Sequence, residues 1–352
     1  KDSDGGAWRK RTQNTSWYNE TLNTSTRGAR KEFPCVAVIV VEFNSITIYD
    51  GDDPSLPLWW SYVGNTSFSG GSPFYSNTLD DNSGASVTAL NGSIILGVPY
   101  GNTNGGVRKF DFIADRMKRY TQSPTASTNG SIAPLTAMGS VAAIPDGENI
   151  RIVNYLVNDV AITVLPNAPI DADTGLPVPT IAVATNGGVS IIKDDGSVVD
   201  ITNSNSSFNV CHSITLNESG RLSFVNGYSG LTNSWVYVFN NIPSADNVIT
   251  INTKTGSTQN ADAMYDARGT SAIAEDLVLI GGQDHINATT ERAVGVTAGL
   301  TLLDENPTTP SEGSVAYITS DYNTGHMVGD IKLATLSDTD DTNVTGSELV
   351  TN

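Results

Sequence analysis

The chain has 352 residues, a formal net charge of −18, and 38% hydrophobic against only 16% charged residues. So acidic a balance argues against general nucleic-acid binding, which needs basic surface, and with no run of 18 apolar residues there is no membrane span to read. Its 33 glycines, with recurrent Asn, Thr and Ser, suit many short strands joined by polar turns rather than a helical bundle.

The charge is uneven along the chain. Residues 1–33, KDSDGGAWRKRTQNTSWYNETLNTSTRGARKEF, hold seven basic and four acidic residues and so carry +3, leaving −21 for the rest. This segment begins without Met and reads as an extended attachment arm cut from a longer chain, suited to an acidic partner surface. Its aromatic and cationic residues, Trp8, Arg9, Lys10, Arg11, Trp17, Tyr18 and Arg27, are the types enriched at the energetic centres of interfaces. A flexible tail, or packing on the chain's own flank, are the other readings.

From residue 34 a strand–turn–strand unit recurs. VAVIVVEFNSITIYDGDDPSLPLWWSYV gives two strands and an outer aromatic one, followed by SVTALNGSIILGV, SVAAIPDGENIRIV, TIAVATNGGVSII and SITLNESGRLSFV. Asn91-Gly92, Asp146-Gly147, Asn186-Gly187 and Ser219-Gly220 supply the positive φ that tight hairpins need. TSAIAEDLVLIGG and GSVAYITSDYNTGHMVGDIKLATLSD resemble the unit less closely. The inner runs VAVIVV, IAVAT and VAAI lack alternation, as strands covered on both faces do. The outer strands alternate instead: in WVYVF, Trp235, Tyr237 and Phe239 share a face, and RKFDFIADRMKRY puts Phe110 and Phe112 on one face against Lys109 and Asp111. The expectation is an all-β fold: an arm over 1–33, a β-propeller of about seven blades over 34–340, and over 341–352 the start of a linker to further domains. The alternative is two β-sandwich domains divided at the proline-rich segment 166–180, which in a propeller is a long inter-blade loop.

Little in the chain points to catalysis. The three histidines, His212, His285 and His326, are scattered. No nucleophile elbow, HExxH or phosphate-cradling loop occurs, so no catalytic residue and no cofactor is expected. Carboxylates cluster at 50–54, 171–175 and 337–343. Asp50, Asp52 and Asp53 are the first candidates for a hard cation such as calcium, against solvated turn residues. Trp59-Trp60 would stack on a sugar or seal one blade against the next. Cys35 and Cys211, far apart in sequence, read as free buried thiols.

The opening run through KEFP, then VAVIVVE and TIYDGDDPSLPLWW, resembles virion structural and tail proteins of tailed phages of the marine, podovirus-like kind. The closing YITSDYNTGHMVGDIKLATLSDTDDTNVTGSELVTN is similar to a stretch of the same proteins. The resemblance implies a tail component (appendage, fibre or tail tip) acting as an assembly and host-attachment platform in the virion tail. Its partners would be other tail proteins, further copies of itself as a homo-oligomer, and a host-surface glycan or receptor. A glycan-binding propeller is the alternative. A polysaccharide depolymerase is the third reading and requires two carboxylates facing each other across a groove.

Overall fold

The structure, a computed structural model, describes residues 7–42, 45–63, 85–99, 105–122, 129–130, 151–172, 174–227, 234–251, 258–259, 261, 263–266, 272–280, 285–292, 296–304 and 314–318. The segments 131–150 and 319–352 fall outside it, and with them the Asp146-Gly147 turn, His326, the carboxylates at 337–343 and the expected linker.

The all-β expectation holds. After a short helix α1 (Ala7–Thr12), the described residues form five successive sheets of blade-like antiparallel strands. The first is β1 (Ala37–Glu42), β2 (Ser45–Asp50) and β3 (Leu58–Val63), in that order. The second is β4 (Ser86–Leu90), β5 (Ser93–Val98), β6 (Gly106–Asp111), β7 (Arg116–Tyr120) and β8 (Asn129–Gly130). The third holds β9 (Val157–Thr163), β10 (Thr180–Thr185), β11 (Gly188–Ile192) and β12 (Val198–Asn203). The fourth is β13 (Val210–Leu216), β14 (Leu222–Gly227) and β15 (Ser234–Phe239). The chain then leaves it to add β16 (Asn247–Ile251) parallel to β12 and β17 (Thr258–Gln259) beyond, and returns with β18 (Ala263–Asp266) beside β15. This detour ties the third and fourth sheets together. The fifth is β19 (Ala272–Ile280), β20 (His285–Arg292), β21 (Val296–Asp304) and β22 (Ser314–Ile318).

Local sequence explains several of the turns. Asn91 and Gly92 both take positive φ, 52° and 73°, the pair a two-residue hairpin between β4 and β5 demands. At the Asn186-Gly187 turn the left-handed residue is instead Gly188 (φ 126°), where the Thr185 hydroxyl bridges the loop by accepting from Gly187 N and donating to Gly188 O. RKFDFIADRMKRY is not one outer strand but the hairpin β6–β7, turned at Phe112–Asp115 with Asp115 at φ 49°. TSAIAEDLVLIGG is the single long strand β19, not a strand pair.

Segment 166–180 divides nothing. It joins β9 to β10, which pair with each other in one sheet, so it is neither a boundary between two sandwiches nor an inter-blade loop.

Three apolar clusters lie between successive sheets. Ile46, Ile48, Trp60 and Tyr62 meet Ile94, Leu96 and Phe110 between the first and second. Ile95 and Val107 meet Val157, Ile181 and Val183 between the second and third. Ala182, Ile191 and Ile201 meet Ile214, Phe224 and Tyr237 between the third and fourth. Strands β10 and β11 are buried along their whole length, as their unalternating sequence implies. The similar run in β1 departs from that expectation: its burial alternates, with Val36, Val38 and Val40 exposed.

Candidate functional site

Residues 7–33 are not an extended arm. After α1 and a one-turn 3-10 helix at Trp17–Asn19, the chain runs along β3, where Gly28 N donates to Trp59 O (3.0 Å) and Ser61 N donates to Thr26 O (2.8 Å). Arg27 and Trp60 form a β-bridge, so Thr26–Gly28 act as a fourth, outermost strand of the first sheet. Gly28 is required by this approach, because a Cβ there would collide with the Leu58 carbonyl.

Trp17 is fully buried in this arrangement. Its indole Nε1 donates to Phe112 O at 2.6 Å, and its ring meets Trp59 at 5.4 Å, Phe112 at 5.8 Å and Phe33 at 6.4 Å, all edge-on. Just before it, Ser16 donates through its amide and hydroxyl to the Asp115 carboxylate, 2.8 and 2.6 Å. The segment therefore hooks the β6–β7 turn of the second sheet onto the first.

Arg27 is 1% exposed. Its guanidinium carbon lies 4.5 Å from the Trp59 ring centroid and 5.8 Å from that of Trp17. Nη1 donates to Trp59 O at 2.5 Å and Nη2 to Lys31 O at 2.9 Å, while Glu20 Oε2 stands 3.6 Å from Nε. Burial works against the charge and pulls the Arg27 pKa down to about 10; burial likewise raises Glu20. The aromatic faces and carbonyl oxygens provide the polar environment that makes a buried cation tolerable.

The other candidates of the segment divide in two. Tyr18 is half-buried under Lys31, whose Nζ lies 4.5 Å from its ring centroid, and Arg11 Nη1 donates to Thr174 O in the β9–β10 loop. Trp17 and Arg27 are thus buried against the chain's own sheets, which corrects their expected place in a partner-binding set, while Arg11 stays exposed. Lys10 is exposed. Trp8 and Arg9 belong to α1, with side chains outside the described residues.

The acidic loop 50–54 is also committed internally. Arg30 Nη1 donates to both Asp50 oxygens at 2.8 Å and to Asp52 Oδ2 at 2.7 Å. Asp52 further accepts from Cys35 N and Val36 N, and Asp53 accepts from the amide and hydroxyl of Ser55. The Cys35 amide and Arg30 hold the Asp52 carboxyl below its ordinary range, and Ser55 does the same for Asp53. The cation that Asp50 and Asp52 meet is Arg30, Asp53 serves the turn at Ser55, and no group of three or more metal-ligating side chains occurs among the described residues. Of the two thiols expected to be buried, Cys211 is and Cys35 is exposed. Trp59 and Trp60 are both buried between sheets, which removes them as a sugar platform.

A second constellation gave no sequence signal. Asp159 on β9 accepts from Ser86 Oγ (2.6 Å) on β4 and from Ser213 Oγ (2.9 Å) and Ile214 N (2.8 Å) on β13, besides Val160 N (2.8 Å). Beside it, Asn158 Nδ2 donates to Cys211 O at 2.6 Å and Asn186 Oδ1 at 2.8 Å. One carboxylate and one amide thus link the innermost strands of three sheets. In the second sheet, Arg108 and Arg119 are cross-strand partners, and burial lowers both, Arg119 to about 10. His212 is lowered by burial too; His285 opens β20.

No family model and no curated protein matches the chain. Among solved structures it is similar to hydrazine synthase of Kuenenia stuttgartiensis, at 12% identity and TM-score 0.36, over 70% of this chain and 68% of that one. It is also similar to the Nup133 β-propeller domain of Vanderwaltozyma polyspora, at 10% identity and TM-score 0.33, over 80% and 82%. A third is the exo-β-1,3-galactanase 1,3Gal43A of Clostridium thermocellum, at 9% identity and TM-score 0.27, over 84% and 64%. At such scores these proteins' activities do not transfer to this chain.

Proposed function

We propose that the chain is a non-catalytic structural platform of a phage tail, joining other tail proteins and further copies of itself. The observation that carries this reading is where its charges and perturbed groups lie. Arg27, Arg108, Arg119, Cys211 and Tyr237 all owe their pKa shifts chiefly to burial. The polar side chains described above join sheet to sheet, which favours rigidity over turnover. The resemblance of both chain ends to tail proteins supplies the setting.

The test uses purified tails lacking this protein, incubated with the full chain and with a chain truncated before Ser16. Both are expected to fold, and the full chain to join the tails in several copies. Release of reducing ends from a host-surface polysaccharide by the full chain, or failure to join tails, would overturn the reading.

A further inference from the structure

The hairpin β6–β7 carries a pair of charges that the joining of sheets does not account for. Leu96 of β5, Arg108 of β6 and Arg119 of β7 form one cross-strand row, next to the row Ile94, Phe110 and Met117. Side chains alternate along each strand, so both rows share one face, the face packed toward the first sheet. Arg108 is 1% exposed there, and its Nη1 lies 3.4 Å from the Gly105 and Val107 carbonyl oxygens. Opposite it, Arg119 Nε and Nη2 are buried and meet no hydrogen-bond acceptor among the described residues. Thr121, two places on and so on the same face, is wholly buried, and its hydroxyl also has no partner there.

Like charges directly opposite on a sheet repel, and an uncompensated buried cation is strongly destabilising. Burial, and then the charge of Arg119, hold the Arg108 pKa well down. The carboxylates described in the first two sheets are committed elsewhere. Asp50 and Asp52 meet Arg30, Asp111 lies 3.5 Å from Lys109 on the opposite face, Asp115 holds Ser16, and Glu42 and Asp53 accept from nearby serines.

We propose that Arg108, Arg119 and Thr121 form a binding site for a small free oxyanion, phosphate or sulfate, between the first and second sheets. Guanidinium groups present planar forks of N–H donors that match such oxygens two at a time. The Thr121 hydroxyl adds a further donor. The apolar neighbours Leu96, Phe110 and Met117 keep the site in a low dielectric, which strengthens each charge-assisted bond. Burial of Arg108 selects a free ion over a charged group on a polymer or a lipid surface. The inference goes beyond the platform reading and stands without it, since it concerns only the isolated chain.

The test is a calorimetric titration and a thermal melt of the full chain with sodium phosphate and with sodium sulfate, each against sodium chloride at equal ionic strength. One oxyanion should bind per chain, and Tm should rise by several degrees and saturate. Thr121→Val should weaken binding several-fold, and Arg119→Met should abolish it. In chloride alone, Arg119→Met should melt no lower than the unaltered chain, because it removes the charge facing Arg108 and keeps most of the volume. Unchanged affinity in either variant, or a Tm rise that never saturates, would reduce the effect to general salting and overturn the proposal. An Arg119→Met chain that melts several degrees lower in chloride would also overturn it, because a carboxylate of the chain itself would then be the partner of Arg119.

Discussion

Two junctions between sheets do the same mechanical job with opposite chemistry. Where the first sheet meets the second, the clamp is apolar: Trp17, Phe33, Trp59 and Phe112 interlock edge to face around one buried guanidinium. Where the second, third and fourth sheets meet at their innermost strands, the clamp is a single carboxylate, Asp159, with donors from β4 and β13. The aromatic clamp derives its strength from area removed from water, is non-directional and depends little on pH. The carboxylate clamp depends on direction: each donor is matched to an oxygen, and removing the acceptor strands every donor at once.

The comparison breaks most readily at Trp17. Trp17→Ala should cost about 3–5 kcal/mol by chemical denaturation, and a loss below about 1 kcal/mol would show that the segment is not part of the core. Asp159→Ala follows at about 3 kcal/mol, from several buried donors without an acceptor. Asp159→Asn should lose roughly half as much, because one oxygen still accepts while the new amide faces donors. Equal losses for the two variants would mean that shape rather than hydrogen bonding holds that junction. Arg27→Met sharpens the contrast from the other side. It keeps the volume between Trp17 and Trp59, so stability should stay within about 1 kcal/mol, whereas Arg27→Ala should lose about 2–3 kcal/mol. A Met variant as damaged as the Ala variant would show that the aromatic clamp needs its cation.

The smallest effects are in pH. Asp52 has its folded pKa depressed, so its contribution is present above the ordinary value of about 3.9 and disappears as pH falls through the folded value. Asp200 behaves oppositely: burial raises it, so the stability it contributes when protonated is lost as pH rises from that value through the folded one. In melts between about pH 3 and 6, Asp52→Asn should flatten the acid limb and Asp200→Asn should raise Tm at the upper end. The reverse assignment would contradict the burial of Asp200 and the hydrogen bonds that Asp52 accepts.

Much of this was legible in the sequence, and the failures share one cause. The Asn91-Gly92 hairpin and the shared face of Trp235, Tyr237 and Phe239 came through because both are properties of neighbouring residues. The N-terminal segment was misread because aromatic and arginine enrichment looks the same at the centre of an interface between molecules and at a junction between sheets of one molecule. In VNDVAIT, the Asn-Asp pair carries no mark of burial at all. Asp159 acquires its role only because Ser86 and Ser213, 73 and 54 residues away, arrive on either side.

The sequence by itself determined that this chain is all-β, where most of its strands lie and which side chains share a strand face, because φ/ψ preference and side-chain alternation are decided over a few residues. Tertiary structure alone decided which faces are covered. β1 and β10 are both short runs of mainly small apolar residues, yet β10 lies in the middle of the series and is wholly buried, while β1 stands at its end with Val38 and Val40 open. Burial depends on which distant segments fold against a strand, and no local pattern encodes them.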